Sequence, residues 1–149
     1  MKKKSILVVE DDKALLKSLK EILQSEDYSV DTAETGKEAL QKSQRKFFNL
    51  ALLDIKLPDI EGTELLKTMH KKQPEMMKIM VTGYPSLENA VIALNHGADA
   101  YTIKPVKPEK LLDLIEDKLE EQSQAEEMTE AKVTEWIKTR ARKIEQHLE

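Results

Sequence analysis

Two rhythms of apolar residues alternate along this chain. Short unbroken runs recur at Ile6–Val9 and Leu50–Leu53, and runs of this kind suit strands buried on both faces; Lys78-Ile79-Met80-Val81 predicts a fourth strand. Between them the apolar positions step by three and four. Lys13–Gln24 places Leu15, Leu16, Leu19, Ile22 and Leu23 on one helical face. Tyr28–Ala33 alternates weakly and predicts a second strand, and Ala98–Ile103 predicts a fifth. Thr35-Gly36-Lys37-Glu38 has the form of a capping box and predicts a helix through Ala39 and Leu40. A third helix is expected after Gly62, through Leu65, Leu66 and Met69. A fourth is expected over Leu87–Asn95, stopped by His96-Gly97. Pro108 suits the first turn of a fifth, which carries Leu111, Leu112, Ile115 and Leu119. Five strands and five helices in alternation predict an α/β fold with a doubly wound parallel sheet.

The residues that end the strands bear on function. Ligands in such sheets bind beyond the carboxyl ends of the strands, at the switch point of the strand order. Strand one ends in Glu10-Asp11-Asp12, strand three in Asp54, strand four in Thr82-Gly83 and strand five in Lys104-Pro105. In the order 2-1-3-4-5, Glu10, Asp11 and Asp54 converge, with Thr82 and Lys104 beside them. Clustered carboxylates repel one another unless a cation sits among them, and an all-oxygen set suits Mg²⁺. A cation and Lys104 together could hold a phosphoryl group, with a carboxylate attacking phosphorus and Thr82 donating a hydrogen bond. Each residue has a plainer reading: Asp12 as a helix cap, Lys104-Pro105 as a loop, Thr82-Gly83 as a turn.

Composition narrows the function classes. The 149 residues carry a formal charge of −4, with 40% hydrophobic and 35% charged residues, which excludes disorder and a membrane span. Cysteine is absent, so thiolate chemistry and disulfides are excluded, and three histidines leave little for a histidine metal site. The apolar run after the N-terminal lysines is too short for a signal sequence, so a cytoplasmic location is expected. Neither a G-x-G-x-x-G nor a P-loop lysine motif occurs, which disfavours a nucleotide-binding enzyme.

The runs Ile6-Leu7-Val8-Val9-Glu10-Asp11-Asp12, Leu53-Asp54-Ile55-Lys56-Leu57-Pro58-Asp59, Val81-Thr82-Gly83 and Tyr101-Thr102-Ile103-Lys104-Pro105 resemble the receiver domain of two-component response regulators. The resemblance implies a flavodoxin-like (CheY-like) fold with sheet order 2-1-3-4-5 over about residues 4 to 120; the tail beyond it reads as a C-terminal helical extension. It implies phosphorylation of Asp54 by the phosphohistidine of a histidine kinase or phosphotransfer protein. It implies Mg²⁺ held directly by Asp11, through water by Glu10, by Asp54 and by the backbone carbonyl of Lys56. Thr82 matches the switch hydroxyl, Lys104 the phosphate-binding lysine and Tyr101 an aromatic that turns inward in a two-state switch. The Lys104-Pro105 bond is expected to be cis. Glu10 stands where many relatives carry Asp. In receiver-like sites the residues at Lys56 and Tyr84 govern access of water to the phosphoryl group.

On this reading the protein is a stand-alone switch, not an enzyme: its only chemistry is self-directed phosphotransfer and autodephosphorylation, and it signals to a downstream protein. A phosphatase of the haloacid-dehalogenase type would need an acid at Lys56, and a binding-only receiver would not need Asp54, Thr82 and Lys104 together. Residues 1–121 are expected to be the receiver domain and 122–149 a helical extension, with no effector domain and no direct DNA binding. Ser123-Gln124-Ala125-Glu126 can restart a helix as a capping box, or helix five can run through it unbroken. Val133, Ile137, Ala141, Ile144 and Leu148 form a narrow stripe with Trp136 at its margin, which predicts a homodimer to which the tail contributes, the competing outcome being a monomer whose tail packs on its own receiver domain.

Overall fold

A computed structural model describes residues 3–148, with side chains described for residues 3–147. Five strands, β1 (Ser5–Val9), β2 (Ser29–Ala33), β3 (Leu50–Asp54), β4 (Met77–Thr82) and β5 (Ala100–Ile103), alternate with five helices. The helices are α1 (Lys13–Ser25), α2 (Gly36–Arg45), α3 (Gly62–Lys72), α4 (Leu87–Asn95) and α5 (Pro108–Leu148). All pairings are parallel, in the order β2-β1-β3-β4-β5. This is the expected doubly wound sheet.

The unbroken apolar runs follow from burial on both faces. Leu7, Val9, Ala51, Leu53 and Met80 point to one side and pack with Ala39 of α2, Leu65, Leu66 and Met69 of α3 and Ala93 of α4. Ile6, Val8, Leu50, Leu52, Ile79 and Val81 point to the other and meet Leu16, Leu19 and Leu23 of α1 and Leu111, Ile115 and Leu119 of α5. Each face is a complete core, so no strand can slip register by one residue without exchanging the two.

Local signals set the helix ends. Asp12 caps α1 by accepting from the amides of Ala14 and Leu15, 3.0 and 3.1 Å away. Thr35 Oγ1 accepts from the Glu38 amide at 3.1 Å, while the Glu38 carboxylate reaches back to the Glu34 amide instead of that of Thr35. Gly97, at φ 103, takes the left-handed turn that ends α4. The Ser123–Glu126 sequence does not restart a helix. Residues 108–148 form one helix of 41 residues, so the unbroken alternative is the one observed. Within it Gln122 is buried, donating to the carbonyls of Asn49 and Glu75 at 2.9 and 2.8 Å, so the helix is tied to the segments that lead into β3 and β4. No helix among the described residues is long and apolar enough to cross a membrane.

Candidate functional site

The carboxyl ends of β1, β3, β4 and β5 form one shallow site. Glu10 follows β1 directly, and its amide donates to the Ala33 carbonyl of β2 at 3.0 Å, so the sheet edge fixes its position. Asp54 ends β3 with its backbone still paired to Val81 of β4. Both acids are buried, at 3% and 5% exposure, whereas Asp11 is exposed at the mouth. One carboxylate oxygen from each of the three lies within 4.8 Å of the other two. Two buried like charges at this spacing need a counter-charge. Lys104, carried in by the end of β5, supplies it: its Nζ donates to Asp54 Oδ2 at 3.0 Å and to Glu10 Oε1.

One lysine does not balance two buried acids. Burial, with Asp54 beside it, pushes the Glu10 carboxyl up to about 7, against the opposing pull of Lys104 and the Asp12 amide. Burial acts on Lys104 in the other direction, yet its bonds to Glu10 and Asp54 outweigh this and hold its pKa above the ordinary lysine value. The site is therefore short of positive charge, and it presents oxygen donors only. That donor set fits a hard divalent cation.

Thr82 ends β4, fully buried, and its Oγ1 accepts the Tyr84 amide at 2.9 Å. The Lys104 amide donates to the Thr82 carbonyl at 2.7 Å, which locks β4 and β5 together where both meet the site. The Lys104-Pro105 bond is cis. Lys56 lies at the mouth. Its amide donates to Asp54 Oδ1 at 3.3 Å, and its ammonium lies 4.3 Å from the centroid of the Tyr84 ring. Tyr101 stands apart from the carboxylates. It is half-buried, packs against the α3–α4 core, and its buried hydroxyl has no partner among the described residues. Its ring is already turned inward.

Gly62 and Asp59 position the site, a role not assigned to either from the sequence. Gly62 starts α3 with its amide on the Ile55 carbonyl at 2.6 Å; a Cβ there would lie 1.9 Å from the Asp54 carbonyl oxygen. Only glycine lets α3 begin this close to the end of β3. Asp59 accepts from the Gly36 and Lys37 amides at 2.8 and 2.9 Å and so ties the β3–α3 loop to the start of α2. The glycine after a Pro-Asp pair was the available signal for the first. For the second there was none, because its partners are 22 and 23 residues away.

A sequence profile for the response regulator receiver domain matches residues 6–116. The chain belongs to the response regulator receiver family. A solved receiver-domain protein (CheY-like) from Methanospirillum hungatei JF-1 is similar, with 58% identity and a TM-score of 0.82, over 83% of this chain and 99% of that one. Curated relatives include the transcriptional regulatory protein GlrR of Escherichia coli, 38% identical over 131 residues and 87% of this chain. The alginate biosynthesis transcriptional regulatory protein AlgB of Pseudomonas putida is 36% identical over 106 residues and 71% of this chain. The receiver chain spans only 30% of the length of GlrR and 24% of that of AlgB. In this receiver the acidic cluster, Thr82 and Lys104 meet at the carboxyl edge of the sheet, where the strand order reverses between β1 and β3.

Proposed function

We propose that this chain is a phosphoryl-accepting switch, with Asp54 taking the phosphoryl group from a histidine kinase or phosphotransfer protein. The observation that carries the reading is the buried Asp54 carboxylate, 3.0 Å from Lys104 and within one 4.8 Å cluster with Glu10 and Asp11. In the transfer, an Asp54 oxygen attacks phosphorus, the P–N bond to the donor imidazole breaks, and that nitrogen keeps the electron pair. Asp11, Asp54 and the Lys56 carbonyl would hold Mg²⁺, with Glu10 acting through water. Bound there, the cation would neutralise charge between the attacking carboxylate and the phosphoryl oxygens.

Lys104 can exchange its carboxylate partner for a phosphoryl oxygen. Thr82 can rotate its hydroxyl from the Tyr84 amide toward the same group, and the backbone that carries Tyr84 then follows. The affected surface is that of α4 and β5, where Leu87, Val91, Leu94 and Ile103 are exposed. A downstream protein would bind this surface, with no direct contact to DNA. Hydrolysis of the acyl phosphate returns the carboxylate, so the chemistry stays self-directed and no separate substrate is turned over. The cytoplasm, where kinase, ATP and Mg²⁺ coincide, is the compartment that suits this cycle.

Incubation with acetyl phosphate and Mg²⁺, followed by intact-mass measurement, tests the reading. We expect one added phosphoryl group, lost in Asp54→Ala and retained in Asp12→Ala, because Asp12 only caps α1. Retention of the added mass in Asp54→Ala would overturn the assignment.

A further inference from the structure

The second half of α5 is covered by nothing in the monomer. Beyond Gln122 the helix runs on for 26 residues to Leu148, roughly 40 Å at 1.5 Å per residue. Its apolar positions Val133, Ile137 and Ile144 are 53%, 56% and 61% exposed, and Trp136 is 61% exposed. A solvated single helix gains nothing from such a stripe.

The charges say what covers it. From Glu120 to Glu130 the helix carries five glutamates and no basic residue. From Ala131 to Lys143 it carries Lys132, Lys138, Arg140, Arg142 and Lys143 against Glu135 alone. The tail is an acidic block followed by a basic block. The seam that contains the stripe passes through both: Glu126, Glu130, Val133, Ile137, Arg140 and Ile144 recur at alternating steps of four and three. In a parallel pair, each of these residues meets its own copy. Glu126 would face Glu126, Glu130 would face Glu130, and Arg140 would face Arg140, all against a desolvating seam. In an antiparallel pair centred at the level of Glu135, Val133 faces Ile137 and Glu130 faces Arg140, each twice by symmetry. Glu126 then lies across from Ile144 at the ends.

We propose that the tail pairs with a second copy of this chain as an antiparallel two-helix coil spanning Glu126 to Ile144. The monomer leaves room for it. Where α5 leaves the receiver domain, Pro74, Glu75, Met77 and Asp99 form a notch of about 560 Å³ with Gln122, Ala125, Glu126, Thr129 and Glu130 of α5. These helix positions lie on the seam side, so the notch accommodates the end of the partner helix. Pairing stops at Gln122, whose side chain is taken by Asn49 and Glu75. The two receiver domains then sit at opposite ends of a short rod, with their phosphorylation sites free. The pairing needs no phosphoryl transfer.

Light scattering of the full chain gives the oligomeric state, and spin labels give the orientation. Because the chain has no cysteine, single labels can be placed at Gln124 or Gln146, on the face away from the seam. An antiparallel dimer separates two Gln124 labels by about 40 Å, whereas a parallel dimer holds them about 20 Å apart. Arg140→Glu places like charges across the seam and should weaken the dimer at least roughly ten-fold. Glu130→Arg should do the same, and the double variant Glu130→Arg/Arg140→Glu should restore pairing. A chain that stays monomeric at high micromolar concentration overturns the proposal, as does a short Gln124–Gln124 distance or a double variant no better than the singles.

Discussion

At the mouth of the site, the Lys56 ammonium lies over the Tyr84 ring, 4.3 Å from its centroid. Both residues are exposed, so their pairing contributes little to folding, but their amides donate to Asp54 Oδ1 and Thr82 Oγ1, which puts the pair beside the site. We propose that the pair shields a phosphoryl group on Asp54 from water. We expect Tyr84→Ala and Lys56→Asn each to speed loss of the phosphoryl group, by roughly ten-fold, equivalent to about 1.4 kcal/mol of barrier. A time course of intact mass after removal of acetyl phosphate measures it, and unchanged lifetimes in both variants would exclude a shielding role. Glu10 acts at the same scale. Its carboxyl is pushed up to about 7 by burial and by Asp54, the repulsion that the proposed cation would relieve.

Among the elements, the start of α3 decides where Asp54 sits. Gly62 lets the helix begin against the end of β3, with its amide on the Ile55 carbonyl. Gly62→Ala would set a methyl group 1.9 Å from the Asp54 carbonyl oxygen, so helix or strand must move. We expect a loss of about 1–3 kcal/mol in urea denaturation and slower uptake of phosphate at saturating acetyl phosphate. A variant as stable as the parent and equally fast would show that the loop has slack. α5 shows the opposite case. Its first three turns are held by Leu111, Ile115 and Leu119 in the core, while its tail has only its own hydrogen bonds.

For the molecule as a whole, a further buried charge lies outside the acidic cluster, near the start of β4. Lys78 of β4 is fully buried, and its Nζ donates to the Gln73 carbonyl at the end of α3, 3.1 Å away. Burial holds its pKa below the ordinary lysine value, against the pull of Asp99 and Glu75. In the unfolded chain Lys78 keeps its proton up to about pH 10.4, whereas the folded chain releases it earlier. Between those two values the unfolded state binds more protons, so this group makes stability rise with pH in that window and nowhere below it. Lys78→Met should remove that alkaline rise. Urea denaturation of both proteins from pH 7 to 10.5 measures the difference, and parallel curves would mean that Lys78 titrates as it does in water.

The alternation of unbroken apolar runs with helical stripes was enough to determine the fold. A strand buried on both faces has no polar side to show, and Ile6–Val9 and Leu50–Leu53 admit few other placements. Glu10, Asp11, Asp54, Thr82 and Lys104 were legible because they follow those strands, and parallel strands bring their carboxyl ends to one edge. Other features needed the tertiary structure. Asp59 works through amides 22 and 23 residues away, so no local pattern could reveal it. Tyr101 reads as a switch aromatic from its motif, and only packing shows its ring already against the core. The Ser123–Glu126 capping box is locally sound, but Gln122 is pinned to Asn49 and Glu75 in helical geometry. The helix therefore passes through without a break, because a cap contributes about 1 kcal/mol and stopping there would give up the bonds that hold the turn before it.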